Sequence, residues 1–126
     1  MTTQGITWHA VTLEPAQHAA TRQFLTDAFG LAPSMEMAGF ALYQMPNGTA
    51  LELYTPRAVP AYGYNGAVAF GFRVDDIEVA SRAVEAAGGE LLGEITRIEQ
   101  IGYAYRHFRG PDGRVYGLNE QRDPSA

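Results

Sequence analysis

Cysteine and lysine are both missing from this chain of 126 residues. Without cysteine there is no disulfide, no thiolate nucleophile and no Cys-ligated zinc. Without lysine there is no Schiff-base amine and no phosphate-loop lysine, and all nine basic residues are arginine. Positive charge is scarce as well. Fourteen acidic residues against nine basic ones leave a formal charge of −5, which argues against a nucleic-acid surface, where a basic patch is the usual footprint. No apolar run reaches membrane-spanning length, and the N-terminus, MTTQGITWH, has no signal-peptide pattern. The expectation is a cytoplasmic protein that meets neither nucleic acid nor membrane. GxSxG surrounds none of the three serines (Ser34, Ser81, Ser125), and no GxGxxG follows a strand. Nucleophilic catalysis is left with few candidates.

What is present is an ordinary globular composition, 46% hydrophobic and 18% charged, in a length that suits one domain with one sizeable core. Read for periodicity, the chain says the same thing twice. Ile6 to Leu13 is rich in β-formers. Gln17 to Phe29 then takes helical spacing, with Ala20, Phe24, Ala28 and Leu31 as one apolar face and Gly30 as the stop. Two β-prone runs, Phe40 to Met45 and Thr49 to Tyr54, are joined by Pro46-Asn47-Gly48, a strong hairpin signal. A connector without period follows, TPRAVPAYGYNG, and the pattern restarts. Val68 to Val74 reads as a strand, and Asp75 or Asp76 can cap a helix running to about Ala87, ended by Gly88-Gly89. Strands are expected at about Glu90 to Ile95, Gly102 to Phe108 and Val115 to Asn119, with Pro111-Asp112-Gly113 in the last hairpin.

The repeat can be checked by offset. Gly30 and Gly89, like Ala10 and Ala69, are 59 residues apart, whereas Pro46 and Pro111, Gly48 and Gly113, and Leu53 and Leu118 are 65 apart. A single change of offset is what a duplicated unit with one insertion of six residues between helix and last hairpin would give. The expected organisation is one domain over residues 1–126: module one at about 5–55, a connector at 56–66 and module two at about 67–121.

With FLTDAFGL, MPNGTALELY, AFGFRVDDIEVASRAVEAAGGEL and FRGPDGRVYGL in this order, the chain resembles the vicinal oxygen chelate superfamily over about residues 5–121. That group includes glyoxalase I, bleomycin-resistance proteins and extradiol dioxygenases. The resemblance implies an α+β fold, two tandem βαβββ modules forming a curled mixed sheet around a cleft, often completed by a homodimer. In metal-using members four ligands, commonly histidines and glutamates, come from the first and last strands of the two modules. The matching positions here are Ala10, Glu52, Ala69 and Gly117. Three of these have no ligating side chain, so the expectation is no metal, no cofactor, and Glu52 alone as survivor.

Several side chains keep two readings. His9 follows Val11 and Leu13 toward the helix if the strand is ungapped, and turns into the cleft if a bulge intervenes. His18, near the start of the first helix, reads as a solvated surface residue. Tyr103, Tyr105 and His107 share one strand face, which is either the wet outside or the cleft lining. Trp8 has the parity of Ala10, and Trp8 and Tyr43 are the expected pocket walls. The candidate ligand-binding set is therefore Trp8, Tyr43, Glu52, Tyr105 and His107, with Glu52 and His107 as candidate bases. Glu52 alternates with Leu51 and Leu53. In an apolar cleft its carboxyl pKa would rise unless His107, Tyr105, Arg106 or Arg109 supplies a partner. Three functions compete: a metal-independent binder of a small organic molecule, an enzyme (lyase, isomerase or dioxygenase) using Glu52 or His107 or an atypical metal site, and an interacting subunit with a vestigial cleft.

Overall fold

The computed structural model describes residues 2–122. Its elements run β1 (Thr3–Thr12), α1 (Pro15–Phe29), β2 (Met35–Met37), β3 (Phe40–Gln44), β4 (Ala50–Tyr54), β5 (Val68–Val74), α2 (Ile77–Ala86), β6 (Glu90–Ile98), a short 3-10 turn (Glu99–Ile101), β7 (Tyr103–Arg109) and β8 (Val115–Gln121). This is βαβββ twice, an α+β arrangement, as the repeat predicts. Two compact units result among the described residues: 8–69, and 70–122 together with 2–7. Among the described residues no helix is long and apolar enough to cross a membrane.

In the first unit the strand order is β2-β3-β4-β1. β1 and β4 are parallel, with Ala10 beside Glu52, and the β2–β3 and β3–β4 pairs are antiparallel. The register of β1 against β4 is unbroken from Trp8 to Thr12. His9 therefore keeps the parity of Val11, and its Nδ1 lies 3.1 Å from the Ala50 carbonyl oxygen. The core on the α1 side gathers Ala41, Tyr43 and Leu53 with Val11, Leu13, Leu25, Leu31 and Leu51.

The face by which α1 reaches that core is not the expected one. Phe24 is 54% exposed, whereas His18 is 5% exposed, with its Nε2 3.0 Å from the Leu53 carbonyl oxygen. His18 and Leu25 lie on the inner face and Ala20, Phe24 and Ala28 on the outer one. The reading of His18 as a solvated histidine is thus corrected: a polar ring atom that finds a strand carbonyl is satisfied inside. The helix starts two residues early, with Pro15 in its first turn, where the missing N–H costs nothing. It ends at Gly30 in the left-handed region (φ 67°), which donates to the Thr26 carbonyl.

In the second unit the order is β5-β8-β7-β6, again with one parallel pair, β5–β8. Its core on the α2 side holds Val74, Ile77, Ala80, Ala104 and Leu118. Asp76 caps α2 by accepting from the backbone N–H of Glu78 and Val79, at 3.0 and 3.1 Å. A second carboxylate, Glu120, 2% exposed, accepts from the Ile77 N–H at 3.0 Å and pairs with Arg122. The six-residue insertion shows in β6, nine residues long where its counterpart β2 has three. The register of β6 against β7 shifts between Leu92 and Thr96, around Gly93. The two hairpins remain near copies: Asn47 accepts from Thr49 N–H at 3.1 Å, and Asp112 from Arg114 N–H at 3.0 Å.

Candidate functional site

Each unit's sheet has one face on its helix, and the polar candidates are on the other. On β4, Leu51 and Leu53 belong to the α1 core, so alternation sends Ala50, Glu52 and Tyr54 the opposite way. Trp8 and Ala10 of β1 and Phe40 and Leu42 of β3 share that face by register. The Trp8 Nε1–H donates to Glu52 Oε1 at 2.6 Å, and the Tyr54 hydroxyl donates to the same oxygen at 2.9 Å.

Aromatic rings enclose the carboxylate. Trp8 meets Tyr64 edge-on at 5.3 Å, Tyr64 meets Tyr54 at 5.2 Å, and Tyr54 meets Phe40 at 5.0 Å. Tyr64 comes from the connector and is 4% exposed. Its neighbours Gly63, Asn65 and Gly66 are in the left-handed region, which glycine and, after it, asparagine adopt most readily. Burial raises the Glu52 carboxyl above its ordinary 4.5, against the lowering effect of the bonds from Trp8 and Tyr54. Burial, then the Glu52 charge, pushes the Tyr54 hydroxyl pKa upward too, so its proton stays on as donor.

The expectation that Trp8 shares the face of Ala10 and Glu52 matches this geometry. Tyr43 does not join them. It pairs with Leu51 across the β3–β4 hairpin, is 1% exposed, and borders a cavity of about 230 Å³ against α1 together with Arg22 and Glu36. Sequence reasoning passed over Tyr54 as a partner of Glu52, and Tyr64 as the ring that packs on both of its donors. Tyr54 was within reach, because it stands two residues from Glu52 on one strand. Arg106 and Arg109, named as possible partners, are occupied in their own unit. Arg106 donates to the Gly93 carbonyl at 2.9 Å, and Arg109 to the Gly113 carbonyl at 3.0 Å.

In the second unit Ala104 and Phe108 pack on the α2 side, so Tyr103, Tyr105 and His107 face away from it. Their rings follow one another at 6.0 and 5.8 Å. This settles their parity against α2. His107 is 8% exposed, and desolvation lowers its pKa from 6.5 to about 4, so the imidazole is neutral at pH 7. In register with them stand Asn119 (beside Tyr105) and Gly117 (beside His107) on β8, and Arg73 and Gly71 on β5.

A metal does not suit these donors. The neighbour of Glu52 on β1 is Ala10, and the neighbour of Gly117 on β5 is Gly71, two residues from the Ala69 that the offset suggested. None of Ala10, Ala69, Gly71 and Gly117 offers a ligating atom from its side chain. Among the described residues no group of three or more His, Asp or Glu could hold a metal ion.

Comparison with curated proteins finds no match. Among solved structures, a Mn(II)-bound glyoxalase from Novosphingobium aromaticivorans is 18% identical over 96% of this chain and 42% of its own, with a TM-score of 0.71. A Streptomyces coelicolor methylmalonyl-CoA epimerase variant in complex with 2-nitronate-propionyl-CoA is 17% identical, with 95% and 99% covered and a TM-score of 0.66. A superfamily member from Vibrio splendidus is 17% identical, with 90% and 96% covered and a TM-score of 0.60. Such likeness speaks for the fold alone. The family model of the Glyoxalase/Bleomycin resistance protein/Dioxygenase superfamily matches residues 9–115, and the chain belongs to that superfamily.

Proposed function

We propose that this protein holds a small organic molecule, without a metal, on the strand face that carries Glu52. The observation that supports the reading best is the carboxylate itself: Glu52 is half-buried among aromatic rings and fixed by two neutral donors on one oxygen. A few placed polar groups in apolar walls is how ligand sites are commonly built. The ligand complex of the epimerase shows that the fold accommodates an organic ligand in that protein. The working compartment in this reading is the cytoplasm. Metal analysis is the first test. After incubation with Ni, Zn, Mn or Fe and dialysis, the protein is expected to retain no stoichiometric metal. Metal held at one per chain and lost in Glu52→Ala would overturn the proposal.

A second reading is an enzyme with Glu52 as acid or base, favoured by its raised carboxyl, since a group with its pKa moved toward neutrality suits proton transfer. In both readings the working form is a homodimer. Exposed Phe24 and Phe29 on α1, and Met35 and Met37 on the edge strand β2, are apolar surface that association would cover. Light scattering on a sizing column is expected to give twice 13.7 kDa at micromolar concentration. A mass of 13.7 kDa over a wide concentration range would contradict it.

A further inference from the structure

The arginines of this chain divide by what they touch. Arg22, Arg97, Arg109 and Arg122 are each paired with a glutamate. Arg57, Arg82 and Arg114 are exposed, where water satisfies a guanidinium. Arg106 is half-buried and donates to a carbonyl and to the Ser81 hydroxyl. Arg73 is different. It is half-buried on β5, and among the described residues no carboxylate lies within ion-pair distance of it. Its Nε–H donates to Asn119 Oδ1 at 3.1 Å.

That contact aims the side chain. Asn119 is 2% exposed, and its Oδ1 also accepts from the Thr7 hydroxyl at 2.9 Å, so the amide is fixed from two sides. With Nε taken, the two terminal nitrogens of the guanidinium remain as a planar fork, the geometry that grips a carboxylate or phosphate. The strand register supplies the surroundings. The Arg73–Asn119–Tyr105 row carries a hydroxyl, and the next row is Gly71–Gly117–His107. Two glycines leave the sheet without side chains beside the arginine. His107 stands at the end of that row, uncharged at neutral pH, so Arg73 is the positive charge on this part of the face. A partly desolvated charge without an internal partner costs stability, and in a chain of net charge −5 it is not there for solubility. A ligand's negative charge would offset the cost.

We propose that Arg73, positioned by Asn119, anchors an anion-binding site on the face of the second module's sheet turned away from α2. The group it takes is the oxyanion of a small organic molecule, a carboxylate or a phosphate monoester. The inference stands on the second unit alone and is separable from the role of Glu52.

The test uses benzoate, phenyl phosphate and the neutral isostere benzamide at low ionic strength, on the full chain labelled with nitrogen-15. The Arg73 Nε–Hε resonance is expected to move saturably with benzoate or phenyl phosphate, to stay still with benzamide, and to lose its response in high salt. Which of the two anions moves it distinguishes a carboxylate from a phosphate ligand. Arg73→Gln is expected to weaken binding of that anion about tenfold or more while leaving the melting temperature unchanged or raised. Arg73→Lys, which keeps charge but not the fork, is expected to fall between. A purely structural arginine gives the reverse, a destabilised Arg73→Gln protein and no anion response. The proposal is overturned if neither anion moves the wild-type resonance, if benzamide moves it equally, or if Arg73→Gln binds anions like the wild type. The wild-type titration decides the matter even where the variant fails to fold.

Discussion

Glu52→Gln is expected to raise the melting temperature at pH 7 by roughly 2–5 °C, and in the same protein to weaken binding of a screened small-molecule ligand about tenfold or more, about 1.4 kcal/mol. The two effects share one cause. Burial holds the Glu52 carboxyl above its ordinary 4.5, although bonds from Trp8 and Tyr54 pull it down. A carboxyl raised by folding favours the native state where it is protonated. Its contribution is complete below pH 4.5 and is lost as pH rises through the shifted value. The amide keeps an oxygen for both donors and cannot ionise, so its advantage is absent at pH 4 and present at pH 7. Melting curves at the two pH values, with binding isotherms, check this. Unchanged stability at both, together with unchanged binding, would leave Glu52 an ordinary polar residue.

The second large effect belongs to His107 and runs the other way. Its imidazole titrates at about 4 in the folded protein, against 6.5 ordinarily, because burial disfavours the cation. Between these values the unfolded chain binds a proton that the folded chain refuses. Stability from this source is complete above pH 6.5 and is lost as pH falls toward 4, on the order of 3 kcal/mol. Urea midpoints at pH 7 and pH 4.5 should therefore differ markedly in the wild type and much less in His107→Gln. An equal acid loss in both proteins would show that His107 is not buried neutral. The two contributions run in opposite directions with pH, so each is read as the difference between the wild type and its own variant and not from the wild-type pH profile alone.

Which of these residues could be read from sequence depends on how local their determinants are. The two hairpins were legible because Pro-Asn-Gly and Pro-Asp-Gly carry their own turn chemistry, and the structure repeats one hydrogen-bond pattern in both. The orientation of Glu52 was legible as well, since leucines on either side fix the alternation. The inner face of α1 was not. The apolar spacing of Ala20, Phe24 and Ala28 gave way to a histidine whose partner is a carbonyl 35 residues on, and no local pattern announces such a bond. Tyr43 is an intermediate case. With Gln44 opposite Ala50, Tyr43 must stand beside Leu51 and share its side, so counting the hairpin register would have moved it off the Glu52 face. The companions of Glu52 needed more. Tyr64 arrives from a connector whose left-handed residues show in sequence only as Gly63, Asn65 and Gly66, which signal a turn and not its destination. Arg73 drew no notice, because nothing in the sequence says which arginine lacks a glutamate.

The chain has a single tryptophan, and it is the residue that donates to Glu52. Indole emission depends on the polarity and charge within a few ångströms of the ring, so the fluorescence of the unmodified protein comes from one place, beside that carboxylate. No dye or engineered probe is required to watch it. Ionisation of Glu52 with pH, displacement of Tyr64 from the ring edge, or arrival of a ligand at the carboxylate each alters the field around one fluorophore. The intrinsic emission spectrum thus serves as a built-in reporter of the site.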